Sequence, residues 1–521
     1  MQHAIKLEIK RLARQVLERR SQAEQSKHNY RERFEKRTGL KALISQKNEI
    51  PALTDRHFDP VYCARNANFL AKTLWHKVLE RTYAPEPAIC YRIKKPSGGY
   101  REVMAFSIPD AALANVVFRR TRDRNIKRFS PFSYAYHPGR NVLDAVLEIM
   151  EHDFEEKTFV VQIDFKKYFD SIPSRYLKEK LADSERIRVT PQERYVFEQF
   201  LRHAYYDGTT GNGTPLLKRR HKGTPQGASV SLFLANLANH DLDVSLTRAG
   251  GSFVRFADDV VALCTTYSQA QDIERCFFEH CRRSGLTLNV EKSPGIAILS
   301  ECPKEMKTIS HFDYLGFRFT LGGMTIPEKT VSKLKSKISR LINLYLLHYL
   351  KDGFNSERCG IRPYIYDWDL LGLICELRRG LYGGLAEEQI TDFLQKNVRL
   401  PRMKGLMSFY CLLDDPEPFR SLDGWMLSMV RRAMKTRSRL LLNNYQHECP
   451  QPSNRALATG LWLDSRAWRG SDCPCAQMPS FVRGWRAARK HLHTFGLKDV
   501  AALSGNSSAD NADLFDMPYL F

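Results

Sequence analysis

Phe256-Ala257-Asp258-Asp259 sets two acids side by side, with Val254 before them and Val260-Val261-Ala262-Leu263 after. An acid pair on a tight turn between two apolar strands can hold two divalent cations next to each other. Upstream, Phe159-Val160-Val161-Gln162-Ile163 reads as another buried strand and delivers Asp164 at its end. Carboxylates gathered at strand ends are the donor set of a two-metal phosphoryl-transfer centre, and oxygen-only ligands favour Mg²⁺ or Mn²⁺ over zinc. An Asp-Asp step alone is commonly a solvated hairpin tip, so the reading depends on the segments around it.

Those segments must position the acids. Lys94-Lys95-Pro96-Ser97-Gly98-Gly99-Tyr100-Arg101-Glu102-Val103 reads as two short strands joined by a Pro/Ser/Gly turn, a basic hairpin. A helix is expected over 110–128, then a rigid aromatic loop from Phe129 to Arg140 that can cradle a base and a phosphate, then a helix from Val142 to His152. Gly/Thr turns over 205–222 predict a hairpin. Gly223-Thr224-Pro225-Gln226-Gly227-Ala228-Ser229 then opens a helix over 230–246, where free N–H groups and a bare glycine let the backbone approach a nucleotide or template. A helix over 268–283, a strand over 286–293 and a hairpin over 312–319 complete an α+β body, and the chain beyond Pro327 reads as mostly helical, with basic helices over 327–350 and 421–442.

A chain of 521 residues, 43% apolar, exceeds one core and predicts two or three packed units. Its net charge of +22 is spread along the chain, a long positive field suited to a polyanion, with nucleic acid as the expected partner. The cysteines follow no repeating CxxC spacing and no secretory leader is evident, so reduced thiols and a cytoplasmic location are expected. The spacing of Cys449, Cys473 and Cys475 fits no common zinc site. No apolar run approaches the roughly 20 residues of a membrane span. Near the N-terminus, Ile5, Ile9, Leu12 and Val16 recur at helical spacing on a basic helix, and this stripe must pack on the body of the protein or on a second copy, which makes a homo-oligomer possible.

Taken in order, these segments resemble the bacterial group II intron-like reverse transcriptases. The hairpin around Lys95 and Arg101 is similar to the family's first fingers motif, and Phe129 to Arg140 to its second. Asp164–Asp170, Gly223–Ser229 and Phe256–Asp259 match motifs A, B and C, Gly285–Ser293 resembles motif D, and Phe312–Phe317 the primer-grip motif. Weaker similarity continues through Leu406–Leu413, Leu422–Arg432 and Gly484–Leu497 to the thumb and C-terminal segment of intron-encoded enzymes. The resemblance implies a right-hand polymerase fold: a basic helical extension over 1–50, fingers and palm with antiparallel sheet over 51–325, a helical thumb over 326–445 and an associated helical segment over 446–521.

It also implies roles. Asp164 and Asp258 would bridge both ions, Asp259 would support them, and the main-chain carbonyl of Phe165 would complete the triphosphate-side site. A bulky aromatic at the place of Phe169 stacks beneath the incoming sugar and excludes a 2′-hydroxyl; the competing reading is an ordinary core phenylalanine, since Tyr168 is adjacent and either ring could point into the palm. Asp170 reads as a helix N-cap ahead of Pro173. Lys95, Arg101 and Arg140 are candidates for triphosphate or template phosphate, Gln226 and Gly227 for the border of the nascent base pair, Lys292 for the departing pyrophosphate, and Tyr314, Leu315 and Gly316 for a turn pressing the primer end toward the ions.

The implied partners are an RNA template, dNTPs and a DNA product, with Mg²⁺ as cofactor and Mn²⁺ as substitute. No His-Asn-His nuclease signature is evident, so the expected relatives are free-standing enzymes, including those that use a partner non-coding RNA in defence against phage. The alternatives are a maturase that keeps the fold as an RNA-binding scaffold, an RNA-dependent RNA polymerase and, third, an intron-derived reverse transcriptase without endonuclease. The intact acids argue against the first, and Phe169 against the second.

Overall fold

A computed structural model describes residues 1–38, 55–94, 99–152, 154, 157–209, 215–351, 367–401, 403, 405–446, 449, 451–464 and 474–500. They fall into two units, Met1–Gln22 with Gln46–Ser310, and Ala23–Ser45 with His311–Phe521. The division at 310/311 assigns the hairpin expected over 312–319 to the helical unit, whereas the sequence placed that boundary at 325/326.

Among its described residues the first unit contains two sheets. Strands β1 (Ala88–Lys94), β2 (Tyr100–Ala105), β4 (Ala204–Thr209) and β5 (Pro215–Arg219) form one in the order β2-β1-β4-β5, with β1 and β2 antiparallel and Ile93 opposite Arg101. Strands β3 (Phe159–Ile163), β6 (Ser252–Phe256), β7 (Asp259–Cys264), β8 (Gly295–Leu299) and β9 (Thr308–Ile309) form the other, ordered β6-β7-β3-β8-β9. β3 and β7 read as nearly continuous apolar runs because they are the inner strands. Helix Tyr267–Ser284 covers β3, β7 and β8 with Ala270, Ile273 and Phe277, and ends at Gly285, whose φ of +73° suits a residue without Cβ.

Two expected elements differ. The helix expected over 230–246 is two, Val230–Ala238 and His240–Arg248, interrupted at the buried Asn239. The strand expected over 286–293 is reduced to one bridge, Leu288 opposite Phe165, and β8 begins only after Pro294. The intervening residues turn back on themselves, with the Lys292 N–H donating to the Asn289 carbonyl at 3.1 Å.

Three of the four stripe residues, Ile5, Ile9 and Leu12, pack within their own unit, whereas Val16 is half-buried. Ile5, Ile9 and Ala13 of helix Gln2–Thr38 are fully buried, and Leu12 packs against the same core. Glu8, between them, accepts from Arg119 at 2.6 Å and Asn115 at 2.9 Å, both on helix Ile108–Asn125. Burial pushes its carboxyl up, but hydrogen bonds from Arg11, Arg119 and Asn115 outweigh this and hold it at about 2. The first three positions of the stripe thus find their partner within the chain, on helix Ile108–Asn125 and the core beside it.

In the second unit, β10 (His311–Tyr314), β11 (Phe317–Thr320) and β12 (Gly323–Thr325) form an antiparallel sheet. Leu315 and Gly316 join β10 to β11 with φ of +49° and +88°, the signature of a two-residue type I′ turn. Among the helices, Asp423 on Glu417–Tyr445 accepts from the Phe481 N–H at 2.7 Å and the Ser480 hydroxyl at 2.6 Å, which fixes the start of helix Phe481–Phe495. Cys473 of the cysteine trio lies outside the described residues.

Candidate active site

β6 and β7 pair through Phe256 and Asp259, so Ala257 and Asp258 form a two-residue turn. Ala257 has a φ of +61°, a conformation that glycine usually supplies at the first position of such hairpin turns. On the neighbouring strand, Ile163 lies opposite Val260, which sets Asp164 beside Asp259 at the same end of the sheet. Burial, then the charge of Asp164, pushes the Asp258 carboxyl up to about 6. Burial, then the charges of Asp258 and Asp164, pushes Asp259 to about 7. Lys292 opposes both shifts, and Arg101 opposes that of Asp258, without cancelling either. An acid trio this short of positive charge suits hard divalent cations.

Asp164 is held by the segment after helix Tyr267–Ser284. Its N–H donates to the Ser293 hydroxyl at 3.1 Å, its carbonyl accepts from the Asn289 N–H at 2.8 Å, and its carboxylate accepts from the Asn289 side chain at 3.0 Å. The Lys292 ammonium lies 3.5 Å from the same carboxylate on a side chain 71% exposed, so it can swing away. Asn289 and Ser293 were not singled out from sequence. Phe165 buries its ring among Tyr168, Phe277 and His280. The bridge beside it uses the Lys166 N–H and the Asp164 carbonyl, so the Phe165 carbonyl is not spent on that pairing.

Behind the acid turn lies a buried ion pair that the sequence reading missed. Arg255 and Asp243 are both 0% exposed, with Nε and Nη2 donating to the two carboxylate oxygens at 2.6 and 2.5 Å. Arg255 Nη1 donates to the Ala257 carbonyl at 2.8 Å and to Asn236 Oδ1 at 3.2 Å, and Asn236 in turn donates to the Ala135 carbonyl at 2.9 Å. One guanidinium thus ties the left-handed residue of the acid turn to two helices and a loop. The available signal was an arginine inside the apolar run Phe253-Val254-Arg255-Phe256.

Tyr168 is buried and donates its hydroxyl to the Ala235 carbonyl at 2.6 Å, whereas Phe169 remains partly exposed. Asp170 is not an N-cap; it accepts from Arg220 at 2.9 Å and from the Gln226 side chain at 3.3 Å, and helix Ser174–Ala182 starts after Pro173 without a side-chain cap. Gly223 and Gly227 are required by protein packing. A Cβ on Gly223 would lie 2.6 Å from the Phe169 carbonyl oxygen, and one on Gly227 would overlap the Met104 carbonyl of β2, whose N–H donates to the Gln226 carbonyl at 2.7 Å. The close approach expected toward a nucleotide is therefore made toward β2.

Arg101 is exposed on β2 and lies near enough to act on Asp258 and Tyr136. Arg140 sits over the Tyr134 ring at 5.2 Å and donates to the Pro131 carbonyl. The aromatic loop is mainly structural: Phe129 packs on Phe233, Phe132 on Phe253, and residues 132–134 add to the edge of β6 through the Arg255 N–H and carbonyl. Lys95 lies outside the described residues. In the second unit Tyr314 is 1% exposed and part of the hairpin core, where Phe317 packs on Phe409 and Tyr410, whereas Leu315 and Gly316 at the turn are partly exposed.

A mainly antiparallel sheet carrying acids on one strand end and the neighbouring hairpin turn, next to a second sheet joined through a Pro-Gln-Gly loop, is the fingers and palm of a right-hand nucleic-acid polymerase. Residues 93–319 match the family described as Reverse transcriptase (RNA-dependent DNA polymerase), so this segment is a reverse transcriptase domain. Over 212 residues, 39% of this chain and 20% of the relative, it is 25% identical to a retrovirus-related Pol polyprotein from type-1 retrotransposable element R1 of Bradysia coprophila. Over 155 residues, 29% of this chain and 18% of the relative, it is 32% identical to an uncharacterized 91 kDa protein in cob intron of Schizosaccharomyces pombe. The chain thus spans about a fifth of the length of these curated relatives. Solved structures similar to it include telomerase from Candida albicans in complex with a telomeric RNA fragment, at a TM-score of 0.38 and 11% identity over 74% of this chain and 66% of that one. Apo telomerase from Candida tropicalis gives a TM-score of 0.37 and 13% identity over 72% of this chain and 68% of that one.

Proposed function

We propose that this chain is an RNA-directed DNA polymerase that extends a primer with dNTPs on an RNA template. The observation that carries the reading is the convergence of Asp164, Asp258 and Asp259 at one end of the palm sheet within the reverse transcriptase domain. Asp164 and Asp258 would hold two divalent cations, Mg²⁺ by preference and Mn²⁺ as substitute, with support from Asp259 and the Phe165 carbonyl. Such ions, when bound, lower the pKa of a primer 3′-hydroxyl and neutralise the triphosphate.

The protein's own groups orient the substrate. Arg101, with Lys95 and Arg140, offers guanidinium and ammonium donors to phosphate oxygens. Gln226 would border the nascent base pair while its side chain bonds to Asp170, and the exposed Lys292 ammonium would follow charge onto the departing pyrophosphate. Phe169, the less buried ring of the Tyr168–Phe169 pair, would lie beneath the sugar. Phe169→Ala is expected to reduce discrimination against rNTPs by ~10- to 100-fold, measured as the ratio of kcat/KM for dNTP and rNTP. An unchanged ratio would assign the sugar check to another residue.

The direct test is extension of a primer annealed to RNA by the purified protein with dNTPs and Mg²⁺. Templated extension that stops on chelation supports the reading, and RNA binding without extension supports the maturase alternative. We further propose that the template is a partner non-coding RNA held in a ribonucleoprotein that serves defence against phage. The net charge of +22 and the resemblance to free-standing enzymes support this. The similarity to a protein in a cob intron favours a second reading, an intron-derived enzyme. Sequencing the RNA and DNA that co-purify from cells separates the two: a dedicated RNA with matching DNA supports the first, and intron RNA supports the second.

A further inference from the structure

Among the described residues outside the acid trio, one other group of ligand-type side chains converges. Asp55, His57 and Glu86 each offer one ligand atom, and these atoms lie within 4.8 Å of one another. His57 Nδ1 contacts a Glu86 carboxylate oxygen and lies 3.9 Å from Asp55 Oδ1. Around a tetrahedral ion with bonds of ~2.1 Å, ligand atoms stand ~3.4 Å apart, so the direct His57–Glu86 contact opens and the His57–Asp55 separation closes slightly, changes that side-chain rotations supply.

The backbone on both sides is already fixed. Asp55 accepts from the His57 N–H at 2.8 Å, and the His57 carbonyl accepts from the Cys63 thiol at 3.3 Å. The Glu86 N–H donates to Asp110 at 3.0 Å, and Asp110 is itself anchored by the Tyr83 hydroxyl at 2.8 Å and the Ser107 hydroxyl at 2.7 Å.

Two features call for a cation. Glu86 Oε2 is shut off from solvent and has no hydrogen-bond partner. Asp55, Glu86 and Asp110 are gathered around one imidazole, and among the described residues no lysine or arginine pairs with any of them. An imidazole with two carboxylates suits zinc-class ions better than Mg²⁺.

We propose that Asp55, His57 and Glu86 form a binding site for a divalent transition-metal ion of the zinc class. The ion ties the segment entering helix Pro60–Arg65 to the segment leading into β1, and three protein ligands leave one position for water. It is structural and independent of the polymerase reading.

The test uses the full chain stripped with chelator and then titrated calorimetrically with Zn²⁺ in excess Mg²⁺, which keeps the palm acids occupied. Wild type is expected to bind one Zn²⁺ and to gain thermal stability on doing so. His57→Ala, which removes a ligand, and Glu86→Gln, which keeps the shape, are each expected to weaken binding ~10-fold or more and to abolish the thermal gain. If His57→Ala does not fold, Glu86→Gln decides. Failure of wild type to take up Zn²⁺, or equal affinity in the folded variants, overturns the site.

Discussion

Asp164→Asn and Asp258→Asn are each expected to lower templated dNTP incorporation by on the order of 10³-fold, to background, while Asp259→Asn retains a measurable fraction. The gradation follows from the roles assigned to the acids, two bridging and one supporting. RNA binding should survive in all three variants, because phosphate contacts by a chain carrying +22 charges do not depend on them.

A pH dependence accompanies this loss. Asp258 and Asp259 are pushed up to about 6 and about 7 by burial and by their neighbouring carboxylates, so each must give up a proton before it can take a cation. Metal affinity therefore falls as pH drops through 7 and then 6. The stability effect has the opposite sign to that of an ordinary paired carboxylate. An unfolded Asp titrates at about 3.9, so without metal the folded state binds these protons more tightly, and stability is lost as pH rises from about 4 through the folded values. Mg²⁺ should restore it. The Tm gain on adding Mg²⁺ should be small at low pH and grow toward pH 8, and should vanish in Asp258→Asn/Asp259→Asn. A gain of the same size in that variant would place the bound ions elsewhere.

Much of the scaffold was legible because its signals are local. β3 and β7 announce themselves as apolar runs, the β10–β11 hairpin by a glycine turn, and the acid turn by its flanking valines. What stayed hidden depends on pairs distant in sequence. Nothing around Asn289 and Ser293 reveals that they hold Asp164, since that partner lies on another strand. Gly227 was read as making room for a nucleotide, but its constraint comes from β2. The N-terminal stripe was readable as a stripe, yet its partner could not be chosen until Glu8 was seen to meet Arg119 and Asn115. Arg255 shows the limit most clearly, because a charged residue in a strand interior signals a buried partner without naming it.

That partner is Asp243, and Asp243→Ala is expected to destabilise the first unit by ~3–5 kcal/mol, read from urea denaturation, because a fully buried guanidinium would lose its counter-charge. A structural ion pair would show this and nothing more. Here Arg255 also holds the carbonyl of Ala257, a residue kept in the left-handed region at a cost of ~1–2 kcal/mol. The double variant Arg255→Met/Asp243→Leu separates the two roles. Replacing a buried pair by apolar residues commonly recovers stability, so its denaturation midpoint should return close to that of wild type. Its turn, however, would lack the hydrogen bond at the Ala257 carbonyl, leaving Asp258 less firmly placed. Mg²⁺ affinity and the rate of extension should therefore stay depressed by ~10-fold or more, as expected when a group that orients a ligand is removed. Recovery of stability and activity together would reduce the pair to packing, whereas recovery of stability alone makes Arg255 the positioning residue of the acid turn.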